Sequence, residues 1–320
     1  MAYSSGGLIA ATDYNGFVGA NPVTGSGSIN AVWGIGNGQY GYGQTAVTQA
    51  AASAGLITAT QWASLINTMN SVSIHQSGAG TGLTVPTAGS LITYLSAVST
   101  NLGTYYTNHF NAASQGSTTT GSVLSGSATA TNNTTYGEST IFSRTVSFSS
   151  GDAARYFFNA GGQINFVITS VTNNDGTARS ADAVTVIGTN FGGVSAIKAV
   201  TSGGRTGTGG TVNTNNTTTG YYGLTTSPVV YQQITTTSGT YSGDFVKFYM
   251  ATNGTNLSSH GDNGNVITLY LNYYSAHTST TSGLYGSSGD TLNVTVNHRV
   301  DVVYPETTNL SNTWGTVTIG

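Results

Sequence analysis

Apolar side chains recur at helical spacing in the first third of the chain. In TATQWASLINTMNSV, which follows Ile57, residues Trp62, Leu65, Ile66 and Met69 stand at i, i+3, i+4 and i+7, one face of a helix. Thr58 and Gln61 have capping-box spacing, and Thr60 is an equally suitable N-cap. A second run, SLITYLSAVSTNLGTYYTNHFNAA, aligns Leu91, Leu95, Val98, Leu102, Tyr105 and Tyr106, with Pro86 ahead of it. The octet GLIAATDY at Gly7–Tyr14 matches GLITATQW at Gly55–Trp62. Each holds an apolar pair, a Thr that can cap, and an aromatic opening an amphipathic turn, so two similar strand-to-helix transitions are expected. VWGIGNGQYGYGQ between them reads as a loop.

The period changes to two further along. Gln163-INFVITSV, Ala183-VTVIG, Asp244-FVKFYMA, Asn265-VITLYLNYY and Thr291-LNVTVNHRVDVVY are β-branched and aromatic runs bounded by turn residues. The expected fold is α+β: a small N-terminal helical region over 1–113, a polar linker or loop over 114–137, and a mainly antiparallel β-sandwich over 138–320. Ser-Gly-Asp occurs at 150–152, 242–244 and 288–290, each time read as a turn ahead of a strand.

Charge changes the picture. Only 5% of residues are charged, and after Asp13 no charged side chain occurs before Glu138. A free domain relies on surface charge for solubility, so a charge-free third fits a surface covered by partner subunits. Tyr14, Phe17, Trp33, Trp62, Leu65 and Met69 are the candidate interface residues there. The 19 Tyr and 10 Phe supply a core and argue against disorder. With Lys and Arg totalling seven and forming no basic stripe, nucleic-acid binding is disfavoured. There is no cysteine, no basic-apolar leader and no run long enough for membrane insertion, so synthesis and assembly in a reducing cytoplasm, without a secretory route, are expected.

Catalytic patterns are scarce. No HxxxH, HExxH, GxSxG or P-loop spacing occurs, and neither an enzymatic activity nor a cofactor is expected. On a strand, His298 would face the core beside Val296 and Val300, while Arg299 and Asp301 pair on the other face. Asp152, Asp244 and Asp290, from the three turns, are the candidate Ca²⁺ ligands or paired carboxylates; plain turn geometry is the preferred reading. Tyr221 and Tyr222 are candidate ligand-binding residues that would suit sugar stacking or subunit contact equally.

Three segments carry a family likeness. SSGGLIAATDYNGFVG near the start, Phe142-SRTVSFSSGDAARYFFNAGGQINF, and Pro305-ETTNLSNTWGTVTI resemble structural proteins of large tailed phages, especially cyanophage myoviruses. The resemblance spans most of the chain. It implies a non-enzymatic virion component of the tail, neck or a fibre-like appendage, a homo-oligomer packed against copies of itself and other virion proteins. In its most specific block, Arg155, Tyr156, Phe157 and Phe158 join the candidate interface, Arg155 pairing with an acid or carbonyls at a subunit boundary. The alternative is an adhesin or receptor-binding tip that takes host surface polysaccharide.

Overall fold

The computed structural model describes residues 10–23, 25–36, 40–51, 57–90, 92, 95–130, 138–197, 204–215, 223–236, 241–255, 261–275 and 291–320. It is α+β, with two compact units. The first gathers Met1–Ser117, Asp152–Gly162 and Tyr304–Gly315; the second gathers Thr118–Gly151, Gln163–Val303 and Thr316–Gly320. The expected division at 113 and 138 is therefore corrected, because two later segments return to the N-terminal unit.

The helices of the first unit follow the apolar stripes. α1 (Ala11–Val18) buries Tyr14, Phe17 and Val18, and α2 (Ala59–Ser77) buries Trp62, Leu65, Ile66, Met69 and Val72. Thr58 is the N-cap of α2: its Oγ1 accepts from the Gln61 N–H, and Gln61 Oε1 accepts from the Thr58 N–H. The helix entries of the two octets match, while residues 7–9 and 55–56, where the strand halves are expected, lie outside the described residues. α1 begins at the equivalent position, and Asp13, aligned with Gln61, accepts from the Ala10 N–H. The cap position is Ala10, not Thr12, so the first octet caps without a hydroxyl. The two aromatics of the octets meet, Tyr14 and Trp62 lying 5.9 Å apart. α3 (Leu95–Thr107) buries Val98, Leu102 and Tyr105.

The polar segment expected as a linker contains two strands, β1 (Gln115–Thr120) and β2 (Leu124–Ala130). β1 shows no alternation because none of its side chains is buried, so only main-chain pairing defines it. β3 (Glu138–Ser147) leads to α4 (Gly151–Asn159), so Ser150-Gly151-Asp152 opens a helix rather than a strand. Gly161, at φ +83, turns the chain into β4 (Gln163–Asn173). The run from Ala183 is also helical: α5 (Ala178–Val184) continues into a π-helical turn, Thr185–Phe191. Its buried residues Ala183, Val186, Ile187, Asn190 and Phe191 keep helical spacing, which outweighs its β-branched content.

The second unit holds two antiparallel sheets, completed by β5 (Gly193–Ile197), β6 (Thr211–Asn215), β7 (Val229–Thr235), β8 (Phe245–Thr252), β9 (Val266–Tyr274), β10 (Leu292–Pro305) and β11 (Thr318–Ile319). One sheet has the order β1-β10-β4-β5 with β2 also on β10; the other runs β11-β3-β9-β8-β7-β6. Aromatics from both sheets form the core. Phe166 of β4 lies 4.8 Å from Phe142 of β3 and 5.1 Å from Phe248 of β8. His298 of β10 stacks on Phe142 at 3.8 Å.

Candidate functional site

The residues expected at a subunit interface are mostly interior to the chain. Tyr14, Phe17, Trp62, Leu65, Met69, Phe157 and Phe158 expose 1% or less of their surface. Charge depletion marks an interface core and a domain core alike, and here these aromatics fill the domain core. Trp33 is half-buried and its indole donates to the Thr45 carbonyl. Tyr156 is also half-buried, with its ring against Gly43, where a Cβ would come within 2.3 Å of it. Arg155 is 3% exposed and pairs at 2.6 Å with Asp152 of its own helix, so its acid is intramolecular.

Buried polar groups tie the three pieces of this unit together. His75 and Gln76 continue the buried stripe of α2. His75 Nδ1 lies 2.9 Å from Glu306, whose other oxygen accepts from the Thr308 and Asn309 N–H groups. Gln76 donates to the Tyr42 hydroxyl and the Tyr105 carbonyl. Gln44 donates to the Ser311 carbonyl and accepts from its N–H, and Asn159 donates to the Gly41 carbonyl. No motif or spacing in the sequence marks these residues as a set. Polar residues at stripe positions 75 and 76 were the available signal, since a buried polar group requires a partner.

Outside this core the helices present an uncharged polar surface. Thr60, Ser64 and Asn67 of α2 are exposed, as are Ser96, Ser99, Thr100, Thr104 and Thr107 of α3. Many of the hydroxyls are bonded to their own helix: Ser77 donates to the Ser73 carbonyl, Thr100 to Ser96, Thr104 to Thr100 and Thr107 to Gly103. α2 and α3 also line an open cleft of about 170 Å³, walled by Ser73, Ser77, Thr81, Asn101, Thr104 and Asn108 among others, with no charged side chain.

The acids singled out for calcium or catalysis occupy separate settings. Asp152 is bound to Arg155. Asp244 is fully buried and accepts from the Tyr273 hydroxyl at 2.6 Å and from Ser275. Burial, then the Asp244 charge, pushes the Tyr273 phenol well up, so it stays a donor. Asp290, Tyr221 and Tyr222 lie outside the described residues. Among the described residues, no group of three His, Asp or Glu could hold a metal ion, and no helix is long and apolar enough to cross a membrane.

The strand reading of Asn297–Asp301 holds. His298 is fully buried, and Arg299 Nε donates to both Asp301 oxygens at 3.0 Å. Asp301 is 7% exposed and also accepts from the Gly121 N–H, so the pair is more covered than a surface pair. His298 Nε2 accepts from Arg144 at 3.2 Å. Burial lowers the His298 pKa, the Val296 carbonyl opposes this, and the Arg144 charge lowers it further. No protein-family model, curated protein or solved structure matches the chain.

Proposed function

We propose that the chain is a non-enzymatic structural component of a tailed-phage particle, of the tail, neck or a fibre-like appendage, and that it works in contact with other subunits. The observation that carries this is the outer surface of α2 and α3. Four of its hydroxyls, those of Ser77, Thr100, Thr104 and Thr107, are bonded to carbonyls one turn back, and no charge lies among them. Covering such a surface strands few polar groups, whereas burying unpaired charge is costly. The likeness of the N-terminal, ARYFFNAGG and C-terminal segments to phage structural proteins supplies the location. The interface in this reading is the polar helix surface, not the aromatics beneath it.

The test is to purify particles from the source of the sequence and image them. Density for the chain with α2 and α3 covered by neighbours supports the reading. Its absence from particles, or a position that leaves both helices in solvent, overturns it.

A second reading, binding of host surface polysaccharide, is favoured by the cleft between α2 and α3. Amides and hydroxyls without charge are the groups that bind a neutral sugar. Saccharide binding weakened by Asn101→Ala and Asn108→Ala supports it, and binding unchanged in both variants removes it.

A further inference from the structure

We infer that β1 pairs edge to edge with the β1 of a second copy of this chain. The inference rests on the assembly reading above and names the partner. Among the described residues β1 ends its sheet, all six of its residues are exposed, and Gln115–Thr120 carries no charge. The other sheet ends are blunted. β5 and β6 have register irregularities against β4 and β7, and β11 is two residues long. Irregularity, shortness and charge are the usual protections of an open edge, and β1 has neither the shortness nor the charge.

The inner edge of β1 is closely applied to β10. A Cβ at Gly116 would lie 2.4 Å from the Pro305 carbonyl oxygen, and one at Gly121 would lie 2.1 Å from that of Val300. β2 continues along β10 from Leu124, but β3 closes on it, with the Ile141 carbonyl 2.3 Å from a Cβ built at Gly126. The open stretch is thus β1. Ordering six residues that bury no side chain is opposed by conformational entropy, and a second strand would supply the missing pairing and cover.

A second copy suits this edge because a strand crossing a two-fold axis meets itself. A charge near the axis would lie close to its own copy, and β1 carries none. Ser117, Thr118, Thr119 and Thr120 would form cross-strand hydroxyl pairs, an arrangement that stabilises sheets. Val123 and Leu124, 54% and 42% exposed, follow the strand and would be covered at the ends of the pairing.

The experiment uses the full chain in analytical ultracentrifugation up to roughly 100 µM, the range where weak association becomes visible. Reversible self-association is expected, weakened at least about tenfold by Ser117→Lys or Thr119→Lys. Circular dichroism and melting of both variants should match the wild type. Thr211→Lys on the β6 edge should leave association intact, and mixing Ser117→Lys with Ser117→Glu chains should restore it. Association that persists in both Lys variants overturns the β1 pairing and leaves the assembly reading standing. A wild-type chain that stays monomeric throughout also overturns the pairing, and particle imaging then decides the assembly reading separately.

Discussion

His75 Nδ1 and Glu306 Oε1 lie 2.9 Å apart although 231 residues separate them in the chain. Burial alone would raise the Glu306 pKa. The His75 hydrogen bond and then the Asn309 and Thr308 N–H groups outweigh it, leaving the group at about 2 instead of 4.5. The ionised carboxylate can only accept, so His75 Nδ1 carries the hydrogen. This contact fastens the end of α2 to the segment that follows β10.

Glu306→Gln should therefore cost about 2 kcal/mol at neutral pH, the scale of a charge-assisted hydrogen bond. A carboxyl whose folded pKa is depressed stabilises fully above its unfolded value, here 4.5, and loses that stabilisation as the pH falls through about 2. Urea titrations of wild type and variant should differ most at pH 7 and converge toward pH 2. A gap that widens on acidification contradicts the assignment.

The cap of α2 separates two residues that sequence spacing left equal. Thr58 Oγ1 accepts from the Gln61 N–H at 3.2 Å, while Thr60 lies inside the helix. Thr58→Ala should destabilise by about 1 kcal/mol, and Thr60→Ala by less than about 0.5. Thermal melts of the two variants decide between them, and a larger loss at Thr60 refutes the cap.

The legible parts of the fold are those where burial leaves a period in the side chains. The Trp62, Leu65, Ile66 and Met69 stripe and the alternation of Val294, Val296, His298 and Val300 both mark the buried face. β1 leaves no side-chain period because none of its residues is buried. The run at Ala183–Phe191 did carry helical spacing, but its Val, Thr and Ile content suggested a strand. Composition could not separate an internal core from an interface, so Tyr14 and Phe17 were assigned to partners. The return of residues 304–315 depends on single contacts such as His75 to Glu306, which leave no local pattern.

Asp244 illustrates a candidate metal ligand whose oxygens are already used. Its Oδ2 accepts from the Tyr273 hydroxyl at 2.6 Å and the Ser275 hydroxyl at 3.1 Å. Calcium or a chelator should leave the melting temperature unchanged. Tyr273→Phe should cost about 1–3 kcal/mol, because a buried acceptor loses its closest donor. A calcium-dependent rise in melting temperature would return Asp244 to the list of ligands.

His298 is held neutral in the sandwich core, where its Nε2 accepts from Arg144 and its ring lies on Phe142. Its folded pKa is lowered from 6.5, chiefly by burial. Its contribution is thus fully present above 6.5 and is lost as the pH falls through the depressed folded value. Stability should decline on acidification below 6.5 and level off once the depressed folded value is passed. His298→Leu should flatten this decline without abolishing it, because burial also lowers the pKa of His109. The check is the unfolding free energy measured at half-unit steps of pH. A variant whose slope matches the wild type would show that His298 does not titrate on unfolding, and the neutral-core assignment would fall with it.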